Sequence, residues 1–248
     1  MTLVNQGWLQ GDLFEMDRDG CDGAGERKRQ QVKGYKAVIF DLDGTLLDTL
    51  KDLALSMNRI LEALGLPQHP LDAYRYFVGE GATILVTRAL PESMRSPEKI
   101  EEARELFFRD YARHWMDNTG PYPGIPELIE ALAGRDLALG VLSNKPHDFT
   151  VACVERFLEP ERFRAVWGER RGIPRKPDPA GALAMAEQLG ASPEECIYVG
   201  DTAIDMKTAT GAGMFPVGVL WGFRDEAELK DSGAKELISE ADQLLDLL

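Results

Sequence analysis

The stretch AVIFDLDGTLLDT, residues 37–49, opens with the apolar run Ala37, Val38, Ile39 and Phe40 and then places Asp41, Asp43 and Asp48 within eight positions. An unbroken apolar run predicts a strand buried on both faces, as in a parallel sheet covered by helices. Carboxylates at the end of such a strand repel one another and lose hydration. Their presence points to a cation, a proton or a chemical step that uses them.

Outward from this stretch, short apolar runs alternate with amphipathic ones. KAVIF (36–40), LALGVL (137–142), RAVW (164–167), CIYVG (196–200) and FPVGVL (215–220) read as strands. PELIEALAG (126–134) and ALAMAEQLG (182–190) read as helices closed by Gly134 and Gly190. The expected fold class is α/β, with a doubly wound parallel core sheet over residues 35–49 and 121–248. Residues 50–120 break the rhythm with LKDLALSMNRILEALGL, GATILVTRALP and PEKIEEARELFFRDYARHWM, all at helical spacing with no strand between them. They predict an inserted helical unit, with PYPG (121–124) as a rigid return. Within the insert, Phe107, Phe108, Tyr111 and Trp115 are expected in its core rather than on a binding face.

Residues 1–34 are polar, glycine-bearing and charge-dense and are expected to form a poorly ordered extension. Glu15, Asp17, Asp19, Gly20 and Glu26 approach a calcium-loop pattern. Glu stands where such loops begin with Asp, and Asp22 stands where they carry an apolar residue, so a solvated acidic tail is the better reading.

The chain has 248 residues and a formal net charge of −14, which argues against nucleic acid or an anionic membrane surface as partner. A small anionic metabolite would have to be met by a local positive centre. Cys21, Cys153 and Cys196 lack paired or zinc-like spacing, and no apolar stretch is long enough to span a bilayer. A reduced, cytoplasmic setting is expected, with the chain a monomer or homodimer.

Ligands of doubly wound sheets bind beyond the carboxyl ends of the strands. Here those ends carry Asp41 and Asp43, then Ser143 and Asn144, then Lys176 in a following loop, then Asp201 with Asp205 four residues on. Each has an ordinary reading alone: a terminal Ser or Asp caps the next helix, and a loop lysine is commonly solvated. Asp48 reads simply as the start of the first inserted helix. Together, several carboxylates, one lysine and one hydroxyl suit a hard divalent cation and a phosphate. A carboxylate can attack phosphorus, a second acid can serve the leaving oxygen, and a lysine can offset charge.

The runs DLDGTLLDT, LSNK, KPDP and GDTAID, in this order, resemble the four signature motifs of the haloacid dehalogenase superfamily in its phosphatase branch. WGFRDEAEL (221–229) resembles the tail of its phosphoglycolate phosphatase-like group. The resemblance implies a Rossmann-like core with a helical cap over the site. It implies Asp41 as nucleophile, Asp43 as general acid and base, and Mg²⁺ held by the Asp41 and Asp201 side chains and the Asp43 backbone carbonyl. It further implies Ser143 and Asn144 on the phosphate, Lys176 bridging nucleophile and phosphate, and Asp205 supporting the metal site. The expected reaction is hydrolysis of a small phosphate monoester, with 2-phosphoglycolate favoured over pyrophosphate, a sugar phosphate or a nucleotide. The cap stretch from Tyr76 to Ala82 is expected to touch substrate, through Phe77 and Glu80.

Other chemistries fit less well. Ser143 lacks a GxSxG elbow, and His69, His114 and His147 have no evident triad partners. Asp43 separates the chain from dehalogenases, which lack this acid. The cap stretch does not resemble that of sugar phosphomutases. A phosphoaspartate receiver, the rival from another class, has no room for an insert of roughly 70 residues after its first strand.

Overall fold

The computed structural model describes residues 34–248; the calcium-loop-like run and Cys21 lie outside the described residues. Strand β1 (Ala37–Phe40) leads to a two-residue strand β2 (Leu47–Asp48) and four helices, α1 (Leu50–Ala63), α2 (Leu71–Phe77), α3 (Ala82–Ala89) and α4 (Pro97–His114). Strand β3 (Gly120–Pro121) then returns the chain. The remaining elements are α5 (Ile125–Ala133), β4 (Ala138–Pro146), α6 (His147–Phe157), β5 (Phe163–Glu169), α7 (Ala180–Leu189), β6 (Cys196–Gly200), α8 (Ala203–Ala212), β7 (Phe215–Val219), α9 (Glu226–Asp231) and β8 (Glu236–Ile238).

Six strands form one sheet in the order β5-β4-β1-β6-β7-β8, with every neighbouring pair parallel. All four β1 side chains are buried, as expected for a strand covered on both faces. β1 is central, and the chain winds outward from it through β4 and β5 on one side and through β6, β7 and β8 on the other. The ends of β1, β4 and β6 therefore meet at the reversal of strand order. Phe40 lies level with Val141 and Val199, so Asp41 emerges between the other two strand ends.

The strand and helix expectations hold, with differences at the edges. β4 and β5 run past their predicted ends, and β8, too short and polar for an apolar signal, was not predicted. Gly190 closes α7 in the left-handed conformation, φ 76°, as expected of a helix-terminal glycine. Gly134 does not; its φ is −69°, and Asp136 two residues later takes the left-handed position at 59°.

The crossing between sheet and insert is also built differently. Asp48 sits in β2, which pairs antiparallel with β3 across the two crossing segments. It accepts the Leu50 N–H at 3.3 Å from two residues outside α1. Asp52, in the first turn of α1, is buried and takes four hydrogen bonds, from the N–H and Nδ2 of Asn118 (2.9 and 2.7 Å) and the N–H and Oγ1 of Thr119 (both 2.8 Å). That carboxylate ties the outgoing crossing to the returning one. The insert has its own core around Met57, Leu61, Tyr74, Val86, Phe107 and Tyr111, joined by Phe223 from the sheet domain.

Asp52→Ala strands four donors, two of them backbone, so it should cost about 3 kcal/mol. A urea unfolding curve with an unshifted midpoint would contradict this assignment.

Candidate active site

Asp41 follows β1 directly and extends its ladder, donating its N–H to the Val199 carbonyl at 2.9 Å. The next residues turn sharply. The Leu42 carbonyl accepts from the N–H groups of Leu46 and Leu47, both at 3.0 Å, and Gly44 takes φ 86°. A side chain at Gly44 would strike the Asp201 carboxylate and the Phe223 ring, so glycine is needed for both the turn and the close approach. This turn lets β1 and β6 bring their acids together.

The sequence-predicted residues do converge. Carboxylate oxygens of Asp41, Asp201 and Asp205 lie within 4.8 Å of one another, all buried. Lys176 Nζ lies 2.8 Å from Asp41 Oδ1 and 2.7 Å from Asp205 Oδ1. Its approach to Asp41 is off hydrogen-bonding geometry, and Asp41 Oδ1 has no donor in line. Asp201 accepts from Thr45 Oγ1 at 3.1 Å and from the Phe223 N–H at 2.8 Å. Asp205 forms the capping box of α8 with Thr202, accepting from its N–H at 3.1 Å and its hydroxyl at 2.6 Å. Both Asp205 oxygens are thus engaged, one with Lys176 and one with Thr202.

Burial pushes the Asp41 carboxyl up to about 7; Lys176 opposes the rise, while Asp205 and Asp43 add to it. Burial and then the charges of Asp205 and Asp41 push Asp201 well above the carboxylate range. Burial works against the Lys176 charge, but Asp205 and Asp41 outweigh it and hold the ammonium well above the ordinary lysine range. Were all three carboxylates ionised, one ammonium would leave two negative charges uncompensated, which is why burial and mutual repulsion raise the pKa values of Asp41 and Asp201. A hard, oxygen-seeking divalent cation fits that deficit.

Ser143 and Asn144 lie in the last part of β4 beside these acids, but their side chains differ in availability. Asn144 Oδ1 accepts the Lys176 N–H at 2.9 Å, and Nδ2 donates to the carbonyls of Lys176 and Gly79, both at 3.1 Å. Its amide is fully committed to holding the lysine loop and the insert. Ser143 Oγ accepts only the Lys145 N–H, at 3.3 Å, which leaves its hydroxyl proton free for a ligand.

A cleft opens from the acids toward the insert, walled by Leu53, Leu85, Phe107, Phe108, Tyr111 and Phe149. Phe107 and Tyr111 belong to the insert's core as expected, and with Phe108 they also face the cleft. The stretch from Tyr76 to Ala82 reaches it, but not through the residues anticipated. Val78, Gly79, Gly81 and Ala82 line the cleft, whereas Phe77 packs edge-on against His69 and Glu80 pairs with Arg88. Sequence reasoning missed Lys145. Its Nζ lies 3.0 and 3.2 Å from the two Asp43 oxygens and 2.9 Å from Tyr111 Oη.

Residues 38–219 match the family described as haloacid dehalogenase-like hydrolase. The chain belongs to that family. It is 34% identical over 192 residues to a phosphoglycolate phosphatase of Pseudomonas putida, covering 76% of this chain and 70% of that one. It is equally 34% identical over 214 residues to an N-acetylmuramic acid 6-phosphate phosphatase of Pseudomonas aeruginosa, covering 86% and 94%. A crystal structure from Lactobacillus delbrueckii subsp. bulgaricus superposes with a TM-score of 0.80 at 32% identity, covering 85% and 97%. The chain is accordingly a haloacid dehalogenase-like phosphatase with a helical cap inserted after β1.

Because folding raises the Asp41 pKa from 3.8 to about 7, the folded state holds that proton more tightly than the unfolded chain does. The resulting penalty is absent below about pH 4, grows as pH rises and is complete above about pH 7. With divalent cations chelated, Asp41→Asn should therefore melt above the parent near pH 8, and the gap should close by about pH 4. A pH-independent gap in thermal melts would refute this account.

Proposed function

We propose that the chain is a Mg²⁺-dependent phosphatase that hydrolyses a small phosphate monoester, 2-phosphoglycolate foremost, through an aspartyl phosphate on Asp41. The observation that carries this reading is the buried Asp41 carboxylate, placed at a strand end between Lys176 and Asp201 with one oxygen lacking a donor in line. Mg²⁺ would be held by the Asp41 and Asp201 side chains and the Asp43 backbone carbonyl, and would offset the charge of the phosphoryl oxygens.

An Asp41 oxygen attacks phosphorus while Asp43 gives a proton to the departing ester oxygen, leaving an acyl phosphate and a free alcohol. Water then attacks the same phosphorus, Asp43 takes its proton, and inorganic phosphate leaves with Asp41 restored. Lys176 balances charge on Asp41, and the Ser143 hydroxyl donates to a phosphoryl oxygen. Asp205 holds Lys176 in place, and Asn144 fixes the lysine loop. The helical insert acts as the cap that keeps bulk water from the acyl phosphate.

The cleft presents one buried ammonium, that of Lys145, on an otherwise largely apolar wall, which suits a small anionic leaving group such as that of phosphoglycolate. Among the described residues no helix is long and apolar enough to cross a membrane. Cys153 and Cys196 are buried free thiols, in keeping with a reducing, cytoplasmic setting.

Asp41→Asn should abolish phosphate release while the circular dichroism spectrum stays native; residual turnover at parental rate would overturn the reading. Asp43→Asn should slow release by roughly 10²–10⁴-fold. Asp201→Ala should move the Mg²⁺ activation curve to higher concentration, and an unchanged curve would reject its role at the metal.

A further inference from the structure

We propose that Lys145 is the specificity residue for the leaving group, and that it selects short phosphate monoesters carrying a carboxylate. This inference rests on the phosphatase reading above and concerns the other end of the substrate. Among the described residues lining the cleft, Lys145 is the one cationic side chain. It is buried on a wall that is otherwise largely apolar and aromatic, and Lys176 is already committed to Asp41 and Asp205.

The three donors of the Lys145 ammonium are spent on two groups, the Asp43 carboxylate and the Tyr111 hydroxyl, with the Tyr111 ring centroid 4.9 Å away. Asp43 cannot serve the ester oxygen while both its oxygens face Lys145. When it turns to the ester, Lys145 loses an anionic partner in a place that water hardly reaches. A buried ammonium left unpaired is costly, so a substrate that supplies its own anion there is favoured over one that does not.

Geometry narrows what that anion can be. Lys145 and Asp43 both line the cleft, with Lys145 Nζ 3.0 Å from an Asp43 oxygen. If Asp43 serves the ester oxygen, the anion that meets Lys145 must lie a few bonds from that oxygen, as does a carboxylate one or two carbons away. The class is therefore the phosphorylated two- or three-carbon hydroxy acids. Tyr111 comes from the cap and Lys145 from the sheet, so the same contact also reads whether the cap is seated over the substrate.

The test compares kcat/KM for 2-phosphoglycolate and for 2-hydroxyethyl phosphate, a neutral ester of similar size, in the parent, Lys145→Met and Lys145→Arg. The parent should prefer the carboxylated ester by on the order of 100-fold. Lys145→Met should reduce that ratio to within a few-fold of unity, and Lys145→Arg should keep part of it. Independently of any variant, glycolate should inhibit parental hydrolysis of p-nitrophenyl phosphate, and ethylene glycol should not. Equal losses on both esters in Lys145→Met, or no parental preference, would overturn the inference while leaving the phosphatase reading intact. Failure of the parent to turn over any ester would overturn that reading instead, and the inference with it.

Discussion

One ammonium, that of Lys176, sits between two carboxylates, one from a strand end and one from a helix. Asp41 arrives on β1 and Asp205 on the first turn of α8, with Asp201 close by at the end of β6. Without a cation these acids would be forced together in a buried place at a large electrostatic cost. Much of the local architecture keeps Lys176 where it is needed. Asn144 brackets its backbone from both sides, and Gly44 and Gly222 let neighbouring segments press against Asp201 where any side chain would collide.

The same arrangement ties the acids to the cap. Phe223, whose N–H holds Asp201, buries its ring in the core of the insert. Its neighbour Arg224 donates to the carbonyls of Arg75 and Val78, and Arg75 returns a 2.7 Å hydrogen bond to the Gly222 carbonyl. Asn144 donates to the Gly79 carbonyl, and Lys145 donates to the Tyr111 hydroxyl. The cap is therefore fastened through the residues next to the chemistry as well as through the crossing strands.

Some of the site was legible because it is local. An apolar run that stops at Asp41 announces a buried strand with an acid at its end, and β4 and β6 repeat that form with Ser143 and Asp201. The Asn144 reading was less informative, because the motif places the residue without saying which of its hydrogen bonds are already taken. Lys145, within LSNK, was given no role because nothing near it in the sequence shows its partners. Its partner Asp43 lies 102 residues away and its other partner, Tyr111, lies on the insert. Asp52 was hidden for a related reason: an acid in the first turn of a helix has an ordinary explanation, and only the returning chain at Asn118 and Thr119 makes it a buried tie.

The sequence by itself determined the α/β order, the helical insert and the set of acids and lysine available for chemistry. Those features follow from residue type and short-range periodicity, which a linear reading can weigh. Tertiary structure alone decided which acids share a centre, that Asn144 is spent on holding Lys176, and that Lys145 lies beside Asp43 on an apolar wall of the cleft. These depend on burial and on contacts between distant segments, and burial is what makes a lone charge costly and a paired one decisive.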